Sequence, residues 1–274
     1  MSVIANPTLT GNELDLARLQ VGNGHYRAPY TRKNLLDNWY FVGGGDQQGG
    51  GQFPINQRKQ TSYSGTGATI DRWWNHDGNV TSLIIGADGI TMTASGSWGL
   101  RQVFENPAMY SGKTLTSSIL FDQNVGDCRL NLNVVANGVE KSNWTTNRGG
   151  GLKTVTYSCP SNVTRLWVVF GPLSAGGTTK IRAVKLEFGD TQTLCHNEGT
   201  EENPIWVLNE IPDYTTQLLR CQRFFRVFTS TSTSTTGYGY STNPKNLRPE
   251  MRATPSTGSF TYGGTTYYYL DANL

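Results

Sequence analysis

Charge is scarce in this chain: only 16% of its 274 residues are Asp, Glu, Lys or Arg, and 23 basic against 20 acidic side chains leave a formal net charge of +3. So weak a field, with no Lys/Arg-rich run, excludes the electrostatic footprint of a nucleic-acid binder. Histidine is rarer still, at three residues, and the four cysteines (Cys128, Cys159, Cys195, Cys221) show no Cys-x-x-Cys spacing and no neighbouring His at zinc-ligand spacing. That excludes a zinc knot and a disulfide-rich scaffold; the thiols read as free, with a Cys128–Cys159 bridge the one pairing left open. No run approaches the roughly 18 consecutive apolar residues of a membrane span, so no membrane insertion is expected. The N-terminus has no basic segment followed by an apolar one, so no secretory signal is expected and synthesis in a cytoplasm is. The Asn-x-Ser/Thr matches at Asn79, Asn143 and Asn162 are then inert.

The chain is instead rich in small and aromatic residues, with 32 Gly, 7 Trp, 13 Tyr and 10 Phe. Glycine, Ser, Thr and Asn in place of Ala, Glu, Lys and Leu exclude a helical bundle or coiled coil. The aromatics exclude disorder, because they can bury enough apolar surface to offset the ordering entropy. A chain of this length holds one large β domain or two ordinary domains without needing disulfides.

From Asn34 to about Asp190 short alternating or β-branched runs are separated by Gly, Asn, Asp and Ser clusters. In Arg129-Leu-Asn-Leu-Asn-Val-Val135, Leu130, Leu132 and Val134 fall on one face and Arg129, Asn131 and Asn133 on the other, as in a half-buried antiparallel strand. Asp77-Gly78, Asp88-Gly89 and Asn137-Gly138 supply turn signals. Roughly eight strands without helical periods predict an all-β chain built on a jelly-roll sandwich. Ahead of it, residues 1–33 read as an arm. Behind it, 191–226 read as a linker and one helix, and 227–274 as a small Thr/Tyr-rich β module.

That helix is predicted over Asn209–Phe225, with Pro212 in its first turn and Asp213 near its positive end. Tyr214, Leu218, Cys221 and Phe225 recur at steps of four, three and four, an apolar stripe able to dock on its own sheet or on symmetry mates. They are the candidate oligomerisation residues, since a terminal module of some 50 residues with exposed strand edges is expected to pair its edges between chains.

Catalytic and cofactor patterns are absent. Asp71-Arg-Trp-Trp-Asn-His-Asp77 sets a His between carboxylates, but reads better as a turn at Asp77-Gly78 with Asp71 and Arg72 ion-paired at a strand end. Gly43-Gly-Gly-Asp-Gln-Gln-Gly-Gly-Gly51 lacks the Gly-Lys-Ser/Thr ending of a phosphate loop, and Asp88 and Asp122 are not spaced as in a calcium loop. Glu105, Glu140 and Glu187 could be chosen as a hydrolase pair, but nothing around them sets two of them apart. What remains is aromatic display, which suits sugar faces: Trp74, Trp98, Asn143 and Trp144 are the candidate glycan-binding residues. Trp73 and Trp74 must face opposite sides of a strand, and Trp167, between Leu166 and Val168, is assigned to the core.

Longer strings add a resemblance. Asn34-Leu-Leu-Asp-Asn-Trp39, Pro54-Ile-Asn-Gln-Arg58, Thr61-Ser-Tyr63, Thr69-Ile-Asp-Arg-Trp73, Val184-Lys-Leu-Glu187, Gly189-Asp-Thr-Gln-Thr193, Trp206 to Tyr214, Gln217-Leu218, Cys221-Gln-Arg223 and Met251-Arg-Ala-Thr-Pro255 are similar to a jelly-roll module and terminal segment of tail-fibre and appendage proteins of tailed bacteriophages and prophages. The match covers nearly everything after residue 33; it departs at Lys59, where Gly is usual, at Cys195, where Ala is usual, and in a longer, more acidic stretch at 197–204. The resemblance implies a carbohydrate-binding-like sandwich and a non-enzymatic virion subunit, often trimeric. Residues 1–33 would attach to other virion proteins, and the sandwich would contact host-surface polysaccharide. A decoration protein with a packing role is the alternative, and a glycan-degrading enzyme using Glu105 or Glu140 a more distant one.

Overall fold

A computed structural model of the chain describes residues 31–44, 53–60, 65–122, 127–147, 150–232 and 239–273. Most of the proposed arm, Gly45–Gly51 and Thr61-Ser-Tyr63 lie outside them. In chain order the first strands are β1 (Gly67–Ala68), β2 (Trp74–Asn75), β3 (Val80–Gly86), β4 (Gly89–Ala94), β5 (Leu100–Val103), β6 (Thr114–Phe121), β7 (Cys128–Ala136), β8 (Val139–Asn147), β9 (Gly151–Ser158), β10 (Val163–Pro172) and β11 (Thr178–Phe188). They form two antiparallel sheets, ordered β1-β2-β5-β10-β7-β8 and β3-β4-β11-β6-β9, packed over one core as a jelly-roll sandwich.

Alternation builds that core. Leu130, Leu132 and Val134 of β7 and Leu166, Val168 and Phe170 of β10 meet Ile119, Ile181, Val184 and Leu186 from the opposing sheet, all fully or almost fully buried. The β7–β8 turn uses Asn137 and Gly138, both at positive φ (51° and 76°), the primed geometry that matches strand twist. Leu194 and Cys195 extend the same core beyond residue 190, where β12 (Cys195–Asn197) pairs with β13 (Trp206–Leu208). All four cysteines are free and buried, so the Cys128–Cys159 bridge left open by the sequence does not form. Burial lifts every thiol above its ordinary range, Cys128 and Cys159 to about 11.

The helix is shorter than its pattern suggests. α1 spans Tyr214–Gln222, capped by Asp213, whose side chain accepts from the Thr216 amide at 2.8 Å; Pro212 therefore precedes the cap instead of opening the first turn. Its apolar stripe is seated within the chain. Cys221 is buried with Phe53 and Ile55, Tyr214 meets Phe53 edge-on (ring centroids 5.6 Å apart), and Leu218 packs beside them. Phe225 has left the helix and starts β14 (Phe225–Phe228), 2% exposed. Of the four residues offered as an oligomer contact, Cys221 and Phe225 are buried by their own chain and Tyr214 and Leu218 are half-buried, because residues 53–55 bring up an apolar surface that periodicity within the helix cannot reveal.

The C-terminal module is a three-stranded sheet, β14-β16-β15, with β15 (Ser256–Tyr262) and β16 (Thr265–Asp271) joined through Gly263 and Gly264, both at positive φ. Two rings pin it to the sandwich. The Arg72 guanidinium lies 3.4 Å from the centre of the Phe224 ring, and that of Arg58 3.5 Å from the centre of Phe225. Arg58 also bonds Asp271 at 2.9 Å, while Glu105 takes Arg223 and Arg252. The expected Asp71–Arg72 ion pair does not form. Asp71 is buried with Arg58 at 3.4 Å and receives a 2.6 Å hydrogen bond from the Gln57 amide, and Arg72 pairs with Asp37 at 2.9 Å. Consecutive residues point apart here, so each finds a partner distant in sequence.

Burial, only partly offset by Arg58 and Gln57, pushes the Asp71 carboxyl up to about 6. Between the unfolded value near 4 and about 6 the folded state holds a proton that the unfolded chain has lost, so this group's contribution to stability falls as pH rises through that window. Wild type measured against Asp71→Asn in urea should lose on the order of 3 kcal/mol from pH 4 to pH 7. A pH-independent difference would rule this out.

Candidate functional site

The same alternation that fills the core turns every second residue of the six-stranded sheet outward. Register then decides what lies beside what. Ala68, Trp74, Arg101, Val169, Asn131 and Trp144 align in a single row from β1 to β8. Val103, Trp167, Asn133 and Ser142 form the row beside it. Trp74 and Trp144 sit four inter-strand gaps apart, about 19 Å, at opposite ends of one face.

This face is layered. Asn131 and Val169 are fully buried, Asn133 is 2% exposed and Trp167 6%, whereas Trp144 stands 58% exposed at the far edge. Arg165, two residues from Trp167 on the same side of β10, carries its guanidinium 5.2 Å from that ring. Trp167 is buried, as the sequence leads one to expect, but on the outer side of β10; its neighbours Leu166 and Val168 take the positions between the sheets. Asn131 and Asn133, read from the sequence as the solvent side of β7, are instead the floor of this face.

Trp98 closes one end. Its backbone is in the left-handed region (φ 88°), beside a close crossing of β5 and β10 where Gly99 and Gly171 meet backbone to backbone. A Cβ on Gly99 would overlap the Phe170 carbonyl, so no larger residue fits. The Trp98 ring stacks on His76 (5.7 Å, 18° between planes) and lies 4.2 Å under the Arg129 guanidinium. Its contacts are thus met inside the protein, and it serves to hold Arg129 on the face. His76 is kept below its ordinary pKa first by burial and then by the charge of Arg101, against the pull of Asp77 at 2.7 Å.

Four buried polar atoms on this face lack a hydrogen-bond partner among the described residues: Arg101 Nε, Arg129 Nε, Asn131 Oδ1 and Asn133 Nδ2. Buried donors and acceptors are almost always satisfied, and the five-stranded sheet carries a similar group in Ser117 Oγ, Ser118 Oγ, Thr179 Oγ1 and Arg182 Nε, which solvent can satisfy as well as a ligand. Asn131 has one partner in place, donating to the Ser142 hydroxyl at 3.3 Å. Asn143 does not join them. It lies opposite Leu132, on the inward side of β8, and donates to the Leu132 carbonyl at 3.3 Å, so Trp144 and Asn143 point to different faces.

The carboxylates offered to a hydrolase are held apart in three settings. Glu187 is buried and accepts from the Thr193 amide at 2.7 Å, Glu105 pairs with Arg223 and Arg252 toward the C-terminal module, and Glu140 is exposed on β8. Among the described residues no group of three His, Cys, Asp or Glu side chains converges on a metal position. The outward rows of the six-stranded sheet are built mainly from aromatic, amide and guanidinium side chains.

No family model matches the sequence, and no curated protein does. Solved structures similar to the chain include the CBM22-1 xylan-binding domain of Paenibacillus barcinonensis Xyn10C, at 11% identity and a TM-score of 0.36 over 60% of this chain and 100% of that one. Others are the C-terminal family 22 carbohydrate binding module of Clostridium thermocellum Xyn10B (10% identity, TM-score 0.32, 47% of this chain and 95% of that one) and a CBM4 structure (15%, 0.32, 40% and 77%).

The layered face sets an order of mutational sensitivity. Trp167→Ala should destabilise the fold by about 3–5 kcal/mol, the scale of a buried aromatic deletion. Trp144→Ala should change it by less than about 0.5 kcal/mol. Chemical denaturation checks both, and equal effects would refute the layering.

Proposed function

We propose that the chain is a non-enzymatic glycan-binding protein whose outer six-stranded face holds a polysaccharide segment lying across the strands. The observation that carries this is the row that sets the half-buried Trp74 and the exposed Trp144 at the two ends of one face, with the Arg101 guanidinium between them. Indoles stack on the apolar faces of sugar rings, and Arg side chains meet the hydroxyls that project from their edges. Trp74, Arg101 and Trp144 make the contacts above the buried amide floor of Asn131 and Asn133, while Trp98 and His76 position Arg129.

The resemblance of residues 34–255 to phage appendage proteins supports the finer reading: a virion subunit, tail or head fibre, attached through residues 1–33 to other virion proteins and presenting this face to host-surface polysaccharide. A homotrimer would turn weak single-site affinity into avidity through effective concentration.

Affinity chromatography and titration of the full chain against purified capsular and O-chain polysaccharides test the reading. At least one should bind, and Trp144→Ala or Trp74→Ala should weaken it about tenfold, near 1.4 kcal/mol, with melting unchanged for Trp144→Ala. Binding indifferent to both substitutions would overturn the assignment of this face.

A further inference from the structure

A second aromatic surface lies on the C-terminal module. The β14-β16-β15 sheet places Phe225, Tyr269, Phe260 and Tyr267 side by side on one face, with successive ring centroids 5.5, 6.5 and 5.3 Å apart and planes within 18–32° of one another. Gly258 makes this possible. It pairs with Tyr269, and a Cβ there would overlap the Tyr269 hydroxyl and ring, so only glycine lets the ring lie flat across β15. Lys59, at φ 57°, brings its ammonium 5.2 Å from Tyr262 and 5.6 Å from Tyr267.

Between this surface and the edge of the sandwich is a groove of about 340 Å³, lined by Arg58, Ala68, Phe225, Phe260, Tyr269 and Asp271. That volume is within the range of small-ligand sites, about 300–1,000 Å³. The charges along it are nearly balanced. Arg58 is shared between Asp71 and Asp271, and Asp271, 25% exposed, accepts from Arg58 at 2.9 Å and from the Asn273 amide nitrogens at 2.9 and 2.7 Å. A carboxylate offers about four acceptor positions, so Asp271 retains capacity for a ligand hydroxyl.

We propose that this groove binds one uncharged pyranose unit, its C–H face against Phe260 and Tyr269 and its hydroxyls on the Asp271 carboxylate. With Arg58 and Lys59 set against Asp71 and Asp271 the groove presents no net charge to attract an ionic ligand, so desolvating a charged sugar there goes uncompensated and a neutral one is favoured. Ala68, which lines the groove, is also the terminal residue of the Trp74 row, so the groove opens beside the end of the face described above. The inference shares with that reading the premise that the chain recognises sugars, but it rests on different residues.

Nuclear magnetic resonance of the full chain, titrated with the methyl glycosides of glucose, galactose, mannose and N-acetylglucosamine and with glucuronate, separates the two. At least one neutral glycoside should shift the Phe260 and Tyr269 ring signals. The shift should persist in Trp144→Ala, vanish in Phe260→Ala and in Gly258→Val, and be absent with glucuronate. Gly258→Val keeps the test intact should Phe260→Ala fail to fold. Groove signals that stay fixed with every neutral glycoside, whether or not the indole signals of Trp74 and Trp144 move, would overturn this inference alone; groove signals that move while the indoles stay fixed would support it independently of the platform, which the polysaccharide titration tests. A glucuronate shift at Phe260 would overturn the uncharged-ligand assignment.

Discussion

Register in the six-stranded sheet is the constraint on which the rest hangs. Core packing of Leu130, Leu132, Val134, Leu166, Val168 and Phe170 allows β7 and β10 only one alignment, because a slip of one residue would drive Arg129, Asn131, Asn133 and Trp167 into the sandwich. The outer rows inherit that alignment. Trp74 and Trp144, separated by 70 positions in sequence, end up on one line because the core fixes every strand between them.

A second constraint fixes the C-terminal module. Phe224 and Phe225 insert between Arg72 and Arg58, and these arginines are in turn held by Asp37, Asp71 and Asp271. A three-stranded sheet of this size gains little from its own core, which amounts to Leu247, Met251, Leu270 and Ala272 with three partly buried neighbours. Stacking on the sandwich supplies the remainder. Asn273 of the docked module lines one small cavity together with Trp74 and Arg101, so the module borders the outer face at its β2 end.

Local features were legible in the sequence. Alternation in β7, the Asn137-Gly138 turn, the opposite facing of Trp73 and Trp74 and the all-β sandwich all follow from period-two patterning and turn chemistry, which act over a few residues. Of the candidate site, Trp74, Trp98 and Trp144 were legible as tryptophans beside turns and small polar residues. Asn143 was not: adjacency to Trp144 suggested a shared surface where a strand enforces opposite ones. The burial of Trp167 was legible but its side was not, because a strand buried on both sides reads as continuous apolar sequence, and only its cross-strand neighbours Val103 and Asn133 reveal which side it takes. The partners of Asp71, Arg72 and Cys221 were likewise illegible, since Arg58, Asp37 and Ile55 reach them only through the folded chain.

The seven tryptophans provide a direct readout of the outer face, since each indole N–H gives its own resonance. Titrating the full chain with bacterial capsular or O-chain fragments should move the signals of Trp74 and Trp144. Those of Trp73, bonded to the Asn38 carbonyl at 2.9 Å in the core, and of Trp206, in the β12–β13 ribbon, should stay fixed. Movement at Trp206 with Trp74 and Trp144 unchanged would contradict a glycan platform on the six-stranded sheet.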